Sequence, residues 1–187
     1  MKINIIDLQS NYRNIKKNLS KSLNSLFKKQ QFILGKEVEK LEKKLSKISK
    51  VKYALGVSSG TDALIVSLMA CNIKKNDEVI IPNMTWISTA SSVILVGAKP
   101  VIVDVNINDA MINIEDIKRK ITKKTKAIIA VGLYGHLPEI DELKKICEKK
   151  KIFLINDGAQ SFGSKYENRF CSYYTSISCT SFFPAKV

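Results

Sequence analysis

The chain has one histidine, one tryptophan and only 17 acidic residues against 31 lysines and arginines. His136 alone cannot complete a usual zinc set, because Cys71, Cys147, Cys171 and Cys179 form no Cys-x-x-Cys pair. The sequence contains no Walker pattern and no Gly-x-Gly-x-x-Gly, so neither a nucleoside triphosphate nor a dinucleotide is indicated. A membrane-spanning run is missing as well. The longest apolar stretch, Ile87 to Ala98, is broken by serine and threonine and is too short to cross a bilayer. Met1-Lys2-Ile3-Asn4 does not read as a secretory leader, and reduced thiols in a cytoplasmic setting are the expectation. Internal repeats, low-complexity tracts and linkers are also lacking.

The shortage of acid leaves a formal charge of +14 on 187 residues. Such an excess raises the question of a nucleic-acid or anionic-membrane partner. The lysines, however, are distributed as Lys16-Lys17, Lys28-Lys29, Lys43-Lys44, Lys74-Lys75, Lys118 to Lys120, Lys123-Lys124 and Lys144-Lys145, mostly on polar faces of amphipathic segments. Without a basic stripe interleaved with aromatics, solvated surface is the expected role, and a polyanion site is the alternative. A 45% hydrophobic content at this length supports one sizeable folded domain.

Residues 11 to 50 read as helical. Val38, Leu41, Leu45 and Ile48 recur at helical spacing between lysines and glutamates, and Gly35 divides the region in two. From residue 51 strand and helix alternate. Strands are expected at Tyr53–Val57, Glu78–Pro82, Pro100–Val105, Ala127–Val131, Ile152–Asp157 and about Ser178–Phe183. Helices are expected after Thr61 and near Ser88–Val96, Ile114–Ile121 and Ile140–Lys150. Short buried strands joined by crossover helices predict an α/β fold, a three-layer α/β/α sandwich around a mostly parallel sheet, with the N-terminal helices appended.

In such a sheet ligands sit beyond the carboxyl ends of the strands, and the polar residues fall there. Ser58-Ser59-Gly60-Thr61 reads either as an N-cap turn or as an anion cradle. In the second reading Gly60 gives close backbone approach, Thr61 a hydroxyl, and the helix N-terminus its amide donors. Trp86 reads as a core tryptophan or as a plate for a flat heteroaromatic ring. Asp157, at the end of an apolar run, needs a cationic or hydrogen-bonding partner. A cap, a lysine or a protonated pyridine nitrogen would each serve. Gln160 and Ser181 read as ordinary turn hydrogen-bonders, or as partners of a ring oxygen and of a phosphate. His136 reads as a loop histidine, with contact to substrate or cofactor as the alternative. Lys186 follows the apolar run Ser181-Phe182-Phe183-Pro184-Ala185, where partial desolvation suits a Schiff-base lysine.

Taken in order, Ser58-Ser59-Gly60-Thr61-Asp62-Ala63-Leu64, Leu133-Tyr134-Gly135-His136, Asp157-Gly158-Ala159-Gln160 and Ser181-Phe182-Phe183-Pro184-Ala185-Lys186 resemble the DegT/DnrJ/EryC1/StrS family. Ile6-Asp7-Leu8-Gln9-Ser10-Asn11-Tyr12 and Phe32-Ile33-Leu34-Gly35 extend the resemblance to the N-terminal helices. The resemblance implies a pyridoxal 5'-phosphate (PLP)-dependent transaminase of the aspartate aminotransferase-like class. Its substrates would be a nucleotide-linked keto-sugar and an amino-acid donor such as glutamate, with no nucleic-acid or membrane partner. By position it implies Lys186 as the covalent lysine, Asp157 as partner of the pyridine nitrogen and Gln160 as partner of the phenolic oxygen. Gly60, Thr61 and Ser181 would be phosphate contacts, and Trp86 the stacking residue. A lysine at 186 is the transaminase choice, since related dehydratases carry histidine there. Asn156 and Gly158 depart from the pattern, which has an acid and an alanine. Cys171 to Pro184 most resembles enzymes that aminate C3 of a UDP-linked 3-keto hexuronic acid.

The resemblance also implies an organisation. Residues 1–50 form an N-terminal helical segment, and residues 51–187 form part of the PLP-binding large domain. The C-terminal small domain and the strand that inserts beside Tyr53–Val57 are absent, so open sheet edges are expected. The family completes its site in a homodimer. A truncated remnant acting as an interaction module, or a basic nucleic-acid binder, are the alternative functions.

Overall fold

A computed structural model describes residues 7–184 and 186. Ile6 and Ala185, which belong to two of the motifs above, lie outside the described residues, as does the opening Met1–Asn4. Two helices lead the chain, α1 (Leu8–Lys29) and α2 (Lys36–Ser49). Asp7 caps the first by accepting the Ser10 N–H at 2.9 Å, and Gly35 occupies the N-cap of the second. Neither helix buries a residue. There follow α3 (Gly60–Ala70), β1 (Glu78–Pro82), α4 (Ile87–Leu95), β2 (Lys99–Val103), α5 (Ile114–Lys120), β3 (Thr125–Val131), α6 (Ile140–Lys150) and β4 (Phe153–Asp157). A two-residue-per-strand hairpin, β5 (Lys165–Tyr166) and β6 (Arg169–Phe170), and a 3-10 turn at Cys171–Tyr173 precede β7 (Ile177–Cys179). The hairpin was not foreseen. Its central residues Glu167 and Asn168 both adopt positive φ, as a tight turn between antiparallel strands requires.

The sheet order is β2-β1-β3-β4-β7, parallel throughout. Side-chain alternation divides its core in two. Val79, Ile81, Ala127, Ile129 and Ile155 face α3 and α4, where Leu64, Leu68 and Val93 pack on them. Ile80, Ile128, Ala130 and Leu154 face α5 and α6, meeting Ile117, Ile140 and Leu143. Central strands buried on both faces explain why they read as continuous apolar runs rather than alternating ones. All four cysteines are free and buried.

One expected strand does not form. Tyr53–Val57 runs without a ladder, and Tyr53 and Leu55 are 73% and 80% exposed. A strand exists only against a neighbour, and none of the described residues lies alongside to pair with it. The Gly56 N–H instead donates to the Glu42 carboxylate of α2 at 2.8 Å. The last strand is also shorter than expected, ending at Cys179, after which the chain turns toward Ser181.

Candidate active site

Parallel pairing puts the carboxyl ends of β1, β3, β4 and β7 at one end of the molecule. The chain steps from β1 to β2 in one direction and then to β3 on the other side of β1, so the strand order reverses between β1 and β3. That reversal opens a crevice at the carboxyl end of an α/β sheet. Trp86 follows β1, Gly132 follows β3, Asp157 closes β4, and Ser181 and Lys186 follow β7.

Asp157 is 7% exposed. Its Oδ2 accepts the Thr89 hydroxyl at 3.0 Å and its Oδ1 accepts the Ala159 N–H at 3.2 Å. Among the described residues no ammonium or guanidinium comes within salt-bridge distance of it. Burial pushes its carboxyl above the ordinary carboxylate range. The two hydrogen bonds and the charge of Lys186 pull it partly back. Lys186 is half-buried, and its charge acts on Asp157 through space. A turn in which the Lys186 N–H donates to the Phe183 carbonyl at 2.7 Å brings it there. A buried carboxylate with hydrogen bonds but no contact cation has room in its chemistry for a cationic ring nitrogen. By that measure these residues fit PLP.

Beside this pair lies the N-terminus of α3. Ser59 caps it, its Oγ accepting the Asp62 N–H at 3.0 Å, so the N-cap reading of this segment holds. The N–H groups of Gly60 and Thr61 have no acceptor within the helix, which leaves an anion-receptive end. A Cβ on Gly60 would stand 3.1 Å from Ser181 Cβ, so the first turn of α3 and the segment after β7 meet only because residue 60 lacks one. The Thr61 hydroxyl donates to Ser88 Oγ at 2.9 Å, and Ser181 Oγ accepts the Phe183 N–H at 3.3 Å. Backbone amides and three hydroxyls, those of Thr61, Ser88 and Ser181, thus gather at one corner.

Trp86 is 69% exposed at the N-cap of α4, which excludes the core reading. Gln160 is half-buried. Its Oε1 accepts the Tyr134 N–H at 3.3 Å, which fixes the amide orientation and leaves the NH2 to donate elsewhere. His136 is exposed, and its backbone N–H donates to Leu133 in a tight turn, as a loop histidine would. Three hydroxyl residues were not singled out from the sequence: Thr85, Ser88 and Thr89. Thr85 and Thr89 are four apart, one turn of helix, and a threonine inside an apolar helix must find a partner. That was the available signal.

On the opposite face of β4 the Asn156 amide donates to Ser178 Oγ at 2.7 Å, while Asn156 Oδ1 and Ser161 Oγ are buried without a protein partner. Two hollows of the described surface are lined by Gln30 to Glu39 and by Lys21 to Lys29, and neither includes a residue of this group.

Comparison with known proteins agrees with this fold. The chain is 39% identical to a UDP-2-acetamido-2-deoxy-3-oxo-D-glucuronate aminotransferase of Pseudomonas aeruginosa over 98% of its own length and 51% of the relative's. Among solved structures, S. venezuelae DesV in complex with a ketimine intermediate superposes with a TM-score of 0.95 at 28% identity, covering 99% of this chain and 50% of that one. NtdA of Bacillus subtilis with bound cofactor PMP gives 0.92 at 28%, covering 99% and 42%. The chain spans about half the length of the curated relatives it matches. A family model covers residues 13–187, and the chain belongs to the DegT/DnrJ/EryC1/StrS aminotransferase family.

Proposed function

We propose that this chain carries the cofactor-holding part of a PLP-dependent transaminase that aminates a nucleotide-linked keto-sugar, with glutamate as the amino donor. The observation that carries the reading is a buried carboxylate, Asp157, acted on by the Lys186 ammonium, with the cradle of α3 beside them. PLP, when bound, supplies an aldehyde and an electron-withdrawing ring, a sink for the electrons released when a proton leaves carbon. The chain's own residues do the rest. Asp157 holds a proton on the ring nitrogen by its charge. Gly60 and Thr61 amides with the Ser181 hydroxyl hold the phosphate, and Gln160 donates to the ring oxygen. Trp86 covers one face of the ring and excludes water from it. Lys186 Nζ would be the group that holds the cofactor covalently and, when its amine is free, the base that carries a proton there.

The 39% identity to an enzyme named for a UDP-linked 3-oxo-glucuronate supports a 3-oxo sugar acid as substrate. Residues 1–50 act as a helical arm and residues 51–187 as the cofactor domain. The exposed apolar side chains of α1 support a homodimer, in which a second copy would wall the site. To test the reading, the purified chain is titrated with PLP, reduced with borohydride and digested. A visible absorbance band and a pyridoxyl label on Lys186 are expected, both lost in Lys186→Ala. A colourless, unlabelled wild-type protein would instead mark a non-catalytic module.

A further inference from the structure

Thr89 is wholly buried in α4, and its hydroxyl touches two oxygens: Asp157 Oδ2 at 3.0 Å and Thr85 Oγ1 at 2.8 Å. A hydroxyl has a single proton, and an ionised carboxylate only accepts. While Asp157 is charged, Thr89 must therefore give its proton to Asp157, and Thr85 must give its proton to Thr89. If Asp157 takes a proton on Oδ2, the order turns round: the acid donates to Thr89, and Thr89 donates to Thr85. The chain of three groups thus has two directions, set by the charge on the acid. Thr85, half-buried and adjacent to Trp86, is its outer end. In the charged state Thr85 presents only lone pairs outward, and in the neutral state its proton is free.

We propose that Thr89, backed by Thr85, is the positioning residue that keeps Asp157 ionised and aimed for a cationic ring, and that ring binding and the direction of this hydroxyl chain are coupled. The inference rests on the function proposed above and adds residues to it. The geometry supplies the reason. With one oxygen fixed by the Ala159 N–H and the other by Thr89, the carboxyl group cannot rotate. The charged group that acts on it is Lys186 beyond β7, and Asp157 in turn helps to hold the buried Cys179 thiol of β7 protonated. Burial alone would favour the neutral acid, and a neutral acid offers a ring cation no charge. A donated hydrogen bond to a carboxylate favours the charged form, and one to a charged group is worth about ten-fold or more in an equilibrium.

The test separates this inference from the function beneath it. In the apo chain, carboxyl NMR follows the titration of Asp157 in wild type, Thr89→Val, Thr89→Ser and Thr85→Val. Thr89→Val is expected to raise the Asp157 midpoint, Thr89→Ser to restore it, and Thr85→Val to raise it by less. These readings need no cofactor and stand even if PLP does not bind. With PLP added, quenching of the single tryptophan, Trp86, should report a dissociation constant weakened about ten-fold in Thr89→Val and near wild type in Thr89→Ser. An Asp157 midpoint unchanged in both valine variants overturns the inference. If Thr89→Val does not fold, Thr85→Val, which leaves the buried contact in place, decides alone: no change in the midpoint overturns it, and a rise supports it. A wild-type chain that binds no PLP overturns the function, and with it the coupling to ring binding.

Discussion

At the scale of single residues, the two departures from the family pattern turn out to be neighbours. A Cβ on Gly158 would fall 2.8 Å from the Asn156 amide nitrogen and 3.0 Å from the Cys179 carbonyl oxygen. The first is closer than a real Cβ comes, and the second is unusually tight and is to backbone, which cannot swing aside. Gly158→Ala should therefore destabilise the chain by about 1–3 kcal/mol, as overpacking does, read as a lowered urea midpoint. Adding Asn156→Ala should recover part of the loss, since it removes one of the two clashes. A fully additive double mutant would contradict the coupling. The sequence displayed both residues but not their contact, because residues two apart on a strand meet only once the chain bends out of the sheet. The functional candidates were more legible. Asp157 and Gly60 each stand at an element boundary that periodicity could place. Thr89 was hidden, because a threonine in a helix looks the same whether it faces water or a buried acid.

At the scale of elements, α5 shows how the connections hold the strand ends in place. Asn113 caps it by accepting the Asp116 N–H at 2.8 Å. The Asp116 carboxylate then accepts the Asp104 N–H at 2.8 Å and pairs with Lys120 at 2.9 Å and Arg119 at 3.1 Å. The Asp104 N–H first, and then Lys120, hold that carboxyl below the usual range. A group whose pKa is lower in the folded chain stabilises it above the unfolded value, and that stability is lost as pH falls through the folded one. Asp116→Asn should thus cost stability at pH 7, and the gap between variant and wild type should begin to narrow below about pH 4. Urea melts at pH 7 and pH 3 check this, and a gap as wide at pH 3 as at pH 7 would mean packing rather than charge is responsible. Periodicity located α5, α6, β1 and β4 well because each buries a continuous apolar face. It misplaced a strand at Tyr53–Val57, since an apolar run has strand composition whether or not a neighbour is present to bond with it.

At the scale of the whole molecule, apolar surface is left uncovered in an ordered way. Leu8, Tyr12, Ile15, Leu19, Leu23 and Phe27 recur along one side of α1, all at least 39% exposed, while Lys17, Lys21 and Lys28 fall on the other side by helical spacing. An apolar seam with its charges turned away can pair with a second copy without bringing lysines together. The proposed homodimer therefore predicts a concentration-dependent mass in sedimentation, shifted toward the monomer by Leu19→Glu. A wild-type chain that stays monomeric at all concentrations would remove it. Among the described residues no helix is long and apolar enough to cross a membrane.

By itself the sequence determined which segments are strands and helices in the buried core, because burial on both faces of a parallel sheet leaves a mark in composition. It also determined the family, because motifs in a fixed order are a property of the chain. Tertiary structure alone decided that Asp157 is held by Thr89, that Gly60 admits Ser181, and that Tyr53–Val57 has no partner. Each of these depends on what stands across a gap from a residue distant in sequence, and a one-dimensional pattern does not contain that distance.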